Sequence, residues 1–407
     1  MRASLVALAL LLAVPGAALA DGELVRVPPA PHVYRIVGGA PLHIVICDGR
    51  NNDCQPQTEV ANLNGYRQYP RDGAMSSGGS DGGIYRWAGG APLWVSRCDY
   101  GGGCGPAVLI HDNAYAQWDH RRRYPADGTV IHNVDDGGDY RFAGGAPLRV
   151  DCARGPGCAS MTELDGGTFA YFGSASADKN MRQFPASGTT VLNVDNGVYY
   201  RFVGGAALPL SGCAGCAAVA VDNRTFQTLG TATPSLPHMV ATVPDGQLIA
   251  TSTATYRTAG GAAVQLTDCA PIGGCASPVA VDVGTIASLP PAPRDGTVLR
   301  GLPSKRTWEI VAGKRRETFI ARLDAVDVDD GAINLIPLDA PAPPPPAPEV
   351  FKPVISSGYR VLGRYTRFTS LKVRGALPGS LVTVAARASA RAARSRRPGA
   401  TGSGGRR

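Results

Sequence analysis

Short runs of alternating apolar and polar residues, broken by glycine pairs, recur through most of the chain. In Tyr140-Arg141-Phe142-Ala143 the alternation puts Tyr140 and Phe142 on one face of a strand and Arg141 on the other. Gly144-Gly145 then supplies the positive φ values of a tight hairpin turn. Leu148-Arg149-Val150 continues as a second strand, with Leu148 and Val150 sharing a face and Arg149 pointing away. Upstream, Thr129-Val130-Ile131-His132-Asn133-Val134 reads as the strand before both. The local prediction is an antiparallel meander of three or four strands.

That meander repeats. The phrase Tyr-Arg-x-x-Gly-Gly-Ala-Pro-Leu begins at Tyr34, Tyr85 and Tyr140, degenerate copies begin at Tyr200 and Tyr256, and a weaker one begins at Trp308. Asp-Gly opens most units (Asp21-Gly22, Asp72-Gly73, Asp127-Gly128, Asp245-Gly246, Asp295-Gly296), with Ser187-Gly188 in the fourth. A closing apolar stretch ends in Asp followed by a large residue: Asp165 and Phe169, Asp222 and Phe226, Asp282 and Ile286. Position by position, Leu148 matches Leu42, Leu93, Leu208 and Val264, which predicts burial. Arg149 matches His43, Trp94, Pro209 and Gln265, which predicts exposure.

A single meander has too little core to stand alone, so neighbours must share faces. The predicted fold class is all-β: six antiparallel meander repeats of ~50 residues over residues 21–338. A propeller-like ring is favoured because closure removes edge strands, and a linear array of disulfide-bonded units is the alternative. In the ring the degenerate sixth unit is the closing blade; in the array it is a polar end cap.

The cysteines follow the repeat. They fall as five close pairs: Cys47/Cys54, Cys98/Cys104, Cys152/Cys158, Cys213/Cys216 and Cys269/Cys275. An even count in an exported chain predicts one disulfide per unit. Export is read from residues 1–20, where Arg2 precedes the apolar run Leu5–Val14 and Ala18-Leu19-Ala20 offers a cleavage site. The expected location is extracellular or at the cell envelope, with no transmembrane segment. Beyond the repeats, residues 339–352 form a Pro-rich linker, 353–384 a short β segment that reads as a truncated domain, and 385–407 a disordered Ala/Arg tail.

Charge adds one exclusion. The formal net charge is +8, but seven arginines lie between Arg387 and Arg407, so the remainder is near neutral (8 − 7 = +1). A near-neutral body lacks the electrostatic footprint of a nucleic-acid binder.

The Asp-Gly and Tyr-Arg-x-x-Gly-Gly-Ala-Pro-Leu units, each with a cysteine pair, followed by the Pro-rich linker and basic β segment, resemble uncharacterised secreted repeat proteins of actinobacterial type. The resemblance covers residues 21–384 and implies export and modularity, with no catalytic residues.

Chemical motifs are sparse. The sequence lacks a Gly-x-Ser-x-Gly elbow, a His-Glu-x-x-His pair and a phosphate-cradling loop, and it predicts no catalytic residue, metal site or cofactor. His111, His120 and His132 cluster in sequence beside Asp112 and Asp119, which reads as surface histidines in a variable loop. The recurrent arginines Arg35, Arg86, Arg141, Arg201 and Arg257 are expected to pair with acids of the same or the next unit; a row of them binding an acidic polymer is the alternative. Unit two departs most from the repeat, with Trp87, Trp94, Trp118 and Arg121-Arg122-Arg123. The candidate ligand-binding residues are Trp94, Tyr115, Trp118 and Arg149, since exposed aromatics stack on sugar rings. The expected function is a non-enzymatic scaffold or recognition module whose partner is a cell-wall glycan or another envelope protein. The runner-up is a polysaccharide hydrolase on a propeller.

Overall fold

Every unit builds a four-stranded sheet in the spatial order third, second, first, fourth. The computed structural model describes residues 19–44, 54, 57–78, 82–100, 103–110, 114–115, 119–154, 157–158, 160–170, 180–227, 238–319, 322–339, 354–362 and 365–374. The predicted signal segment up to residue 18, Cys47, His111, Trp118, the predicted linker over 340–353 and the Ala/Arg-rich C-terminal stretch lie outside the described residues.

Unit three shows the pattern. Its strands are Val130–Asn133, Gly138–Ala143, Ala146–Val150 and Thr162–Leu164, followed by a short helix, Gly166–Ala170. The first three strands pair antiparallel, as the alternation predicts. The fourth pairs parallel to the first, with Thr162 opposite Ile131. The expected all-antiparallel meander is corrected there. After the third strand the chain passes through the cysteine loop, and that crossover brings it back alongside the first strand in the same direction.

Gly144 and Gly145 turn with φ of 55° and 81°. The opening Asp secures that turn: Gly89 N donates to Asp72 Oδ1 at 2.7 Å, Gly144 N to Asp127 Oδ1 at 2.7 Å, and Gly260 N to Asp245 Oδ1 at 2.7 Å. Ser187 does the same for Gly204 N at 2.9 Å. The recurrent Asp-Gly is therefore the anchor of a turn some seventeen residues downstream.

The sheets stack face to face, and both faces are covered. Arg141 lies opposite Leu148 and Tyr140 opposite Arg149 in the register. The face carrying Ala143, Leu148 and Val150 packs on Val191, Phe202 and Val221 of unit four. The other face, with Ile131, Tyr140 and Phe142, receives Leu93 and Val95 of unit two. The reading that one face of each strand is exposed is corrected accordingly. The position of Arg149 is half-buried in units one to four and exposed at Gln265 in unit five and Glu317 in unit six.

The array is open, of β-solenoid type, and the propeller ring does not form. Among the described residues, no hydrogen bond, ion pair or core cluster joins unit one to unit six. Unit six explains why. Its third strand is Lys314–Thr318, and Arg316 takes the place of Leu148, while Glu309 takes that of Arg141. A face with those charges cannot receive another apolar sheet, so unit six is a polar cap. Ala312 stands where Gly144 does in unit three and still adopts φ 48°, because no following unit presses on it.

The chain divides into two bodies, residues 1–339 and 340–407. In the second, Val354–Leu362 and Tyr365–Arg374 form one antiparallel hairpin with a register shift between Gly358 and Tyr359.

Candidate functional site

The junctions between units hold most of the recurrent polar chemistry, in three layers. The first is the arginine after the recurrent Tyr. Arg35, Arg86, Arg141 and Arg201 each donate through Nη1 to a carbonyl on the fourth strand of the next unit: Leu109, Glu163, Ala220 and Ala280, at 2.7, 2.7, 2.9 and 2.6 Å. Nη2 of Arg86 and Arg141 reaches back to Gly103 O and Gly157 O in the cysteine loop of its own unit, at 2.5 and 2.6 Å. One guanidinium thus ties a unit's disulfide loop to its neighbour's edge. The expected acid partner is corrected to a backbone carbonyl, which a planar fork of donors suits equally well.

The disulfides belong to the same layer. Cys98–Cys104, Cys152–Cys158, Cys213–Cys216 and Cys269–Cys275 are bonded. Three of these loops pack their cysteines against the core shared with the following unit. Unit one differs in what can be described. Cys54 is disulfide-bonded and packs on Leu24, Val33 and Ile44, but its expected partner Cys47 lies outside the described residues. The predicted Cys47–Cys54 pairing thus falls outside the described residues, and the four bridges of units two to five carry the pairing.

The second layer was not read from the sequence, although its signal is there: Asp165-Gly-Gly-Thr168, Asp222-Asn-Arg-Thr225 and Asp282-Val-Gly-Thr285. Each Asp starts a short helix and accepts the amide that follows the preceding unit's third strand. Ser96 N donates to Asp165 at 3.0 Å, Asp151 N to Asp222 at 2.6 Å, Ser211 N to Asp282 at 2.8 Å, and Thr267 N to Asp329 at 3.0 Å. The Thr three residues on donates to the carbonyl of Trp94, Arg149 or Pro209, at 2.7 Å in each case. Because the backbone of that position is what the neighbour holds, its side chain is free to vary. Burial pushes the carboxyls of Asp282 and Asp329 up, but hydrogen bonds from Thr285 and Ser211, and from Thr267 and Ala332, outweigh it and hold both below the ordinary carboxylate value.

The third layer is the lead-in to each unit, the segment Arg67-Gln68-Tyr69-Pro70 and its counterparts Arg122-Arg123-Tyr124-Pro125 and Arg182-Gln183-Phe184-Pro185. Arg67 N, Arg122 N and Arg182 N donate to Gly39 O, Gly90 O and Gly145 O at 3.0, 2.7 and 2.8 Å. These second glycines of the turns are sockets for the next lead-in. The guanidinium of Arg122 lies 4.6 Å from the Tyr69 ring centre and that of Arg182 lies 4.5 Å from the Tyr124 ring centre. An open cleft of about 430 Å³ between the first two rungs is lined by Arg67, Tyr69, Pro70, Asp72 and Arg122.

Among the described residues, the sequence-predicted site residues do not converge on one surface. Trp94 is half-buried and packs against the cluster around Tyr85, Trp87 and Tyr115. Tyr115 is 3% exposed and shares a 2.9 Å hydrogen bond with Ser76 Oγ, so it is a core residue and not an exposed platform. Arg149 is half-buried, 3.9 Å from Asp136 and 6.0 Å from the Tyr140 ring centre. The histidines separate as well: His120 meets Gln68 O at 3.1 Å, whereas His132 pairs with Asp139 at 2.7 Å in unit three. No cluster that could hold a metal ion occurs among the described residues. The triplet Arg121-Arg122-Arg123 splits: Arg122 and Arg123 are exposed, while Arg121 is 2% exposed. Burial pushes the Arg121 pKa down to about 10 against the opposing influence of Tyr115 and Tyr85.

No family model, curated protein or solved structure matches the chain.

One lead-in residue is a deeply buried histidine. His238, equivalent to Asn180 and His120, faces Tyr140 and donates from Nδ1 to Gln183 O, 3.1 Å away. Burial lowers its pKa to about 4, with the Gln183 carbonyl and Asp136 opposing. The unfolded state binds that proton near 6.5, so stability is complete above 6.5 and falls as pH drops from 6.5 to 4. The expected loss over that window is about 3 kcal/mol. Replacing His238→Asn, the residue unit four uses, should flatten urea-unfolding stability between those pH values. A variant as acid-sensitive as the parent chain would assign the effect elsewhere.

Proposed function

We propose that the protein is an exported, non-enzymatic scaffold of the cell envelope or extracellular space. One observation carries this reading: the polar residues that recur from unit to unit are engaged in holding the turns and the junctions between units together. The strand arginine, the helix-starting Asp, its Thr and the turn-anchoring Asp all have internal partners. An enzyme built on repeats breaks its pattern with carboxylates at one point, and here the buried acids Asp165, Asp222 and Asp329 follow the pattern instead.

Export is supported by the leader-like N-terminus and by four short disulfide loops, a bonding state that persists in oxidising compartments. No helix among the described residues is long and apolar enough to cross a membrane. The test is fractionation of native cells with thiol labelling. The expected product is oxidised and starts at Asp21 in the envelope or medium. A reduced protein with an intact leader inside the cell would overturn the reading.

A further inference from the structure

We propose that the lead-in arginines form a binding track for an extended acidic polysaccharide that carries one carboxylate per disaccharide. The strand arginines, which the sequence nominated for an acidic polymer, are occupied at the junctions. The lead-in arginines are not. Arg67, Arg122, Arg123 and Arg182 are exposed, and none forms an ion pair with a described residue.

Three features make this a track and not a scatter of surface charge. Arg67, Arg122 and Arg182 occupy equivalent places, since the backbone of each is fixed in the glycine socket of the preceding turn. Two of the guanidiniums lie against Tyr69 and Tyr124, which limits their rotamers before any ligand arrives. A stacked guanidinium keeps its N–H edge free for bidentate pairing with a planar carboxylate. The cleft between the first two rungs gives a ligand somewhere to lie.

Spacing selects the polymer. One rung recurs per stacked sheet, hence every roughly 10 Å. A pyranose disaccharide has about that length. Between the arginines sit Asp72 and Asp127, both exposed and both bound to turn amides, and at the near end Asp21 pairs with Arg71 at 3.1 Å. A polymer charged on every residue would set anions against Asp72 and Asp127. A polymer charged on alternate sugars presents a neutral ring there and a carboxylate at each arginine. The track ends where Val240 and Thr242 replace the arginine and the aromatic residue in unit five.

The test measures binding of the full mature chain to oligosaccharides of alternating glucuronate and N-acetylglucosamine, long enough to span three units. The expected result is salt-sensitive binding that R67Q, R122Q and R182Q each weaken about tenfold. Their melting temperatures should stay unchanged, because exposed substitutions of this kind perturb stability little. R122K, which keeps the charge and loses the fork, should fall between. Three results would overturn the proposal: no binding, an R67Q/R122Q/R182Q variant that binds like the parent chain (which would assign the affinity to the arginine tail), or equal binding of inorganic polyphosphate. The scaffold reading rests on the junctions and survives all three.

Discussion

Gly144→Ala should loosen the junction between units three and four and split thermal unfolding into two transitions. Two effects add. At φ 55° a side chain costs about 1–2 kcal/mol. A Cβ there would also stand 2.8 Å from Ala186 N and 2.1 Å from Thr189 Oγ1, and the first of these is backbone that cannot swing aside. The sum is expected to reach about 3 kcal/mol or more, at the upper end for single substitutions. In a one-dimensional array the loss falls on one interface, so the two halves should melt apart. Gly188→Ala is the control: its φ is 92°, but nothing lies within 4 Å of the added carbon. It should carry only the backbone cost and leave a single transition. Equal losses for the two variants, read by calorimetry, would show that conformation alone and not close approach demands Gly144. Unit six already makes the same comparison, since Ala312 holds the turn with no neighbour to meet.

Much of the fold was legible because the repeat multiplies weak signals. Tyr140, Phe142, Leu148 and Val150 fall on the faces their alternation assigns, and the glycine pairs turn as expected. Two features were not legible for physical reasons. Alternation has no direction, so Thr162–Leu164 reads identically whether it runs parallel or antiparallel to Val130–Asn133. Ring closure depends on whether the last face can receive the first. The signal lay in Lys314-Arg315-Arg316-Glu317, whose charges mark an end cap and not a closing blade.

The site was less legible. Outward-reading arginines look alike in sequence whether they meet solvent, an acid or a carbonyl. Arg141 lies 2.9 Å from Ala220 O, 79 residues away, and only the stacking order puts the two together. The lead-in motif had a sequence signature, Arg-x-aromatic-Pro ahead of the unit opening, at Arg67, Arg122 and Arg182. It was hidden because the strongest phrase begins at the Tyr-Arg strand, which sets the frame of the repeat one step downstream. Tyr115 illustrates the opposite error. An aromatic residue after a cysteine loop reads as exposed, yet it fills the core place that Phe169 takes in unit three, against Tyr85 as Phe169 lies against Tyr140.

Asp165→Ala should destabilise the junction of units two and three by about 3 kcal/mol or more. The carboxylate is fully buried and accepts Ser96 N at 3.0 Å, Thr168 N at 3.2 Å and the Ser96 hydroxyl. Alanine fills none of those roles, and each buried donor left without a partner costs about 1–3 kcal/mol. The helix loses its cap as well. The carbonyl bond from Thr168 to Trp94 depends on the same helix start, so the loss should spread to the third strand of unit two. Asp127→Ala is the comparison: that carboxylate is exposed and serves one amide, Gly144 N, within its own unit. Its expected cost is about 1 kcal/mol. Hydrogen exchange separates the two outcomes. Asp165→Ala should raise exchange at Ser96 and Thr168 on both sides of the junction while the outer units stay protected. Uniform loss of protection would mean that the array melts as one body and that the acid is not a local staple.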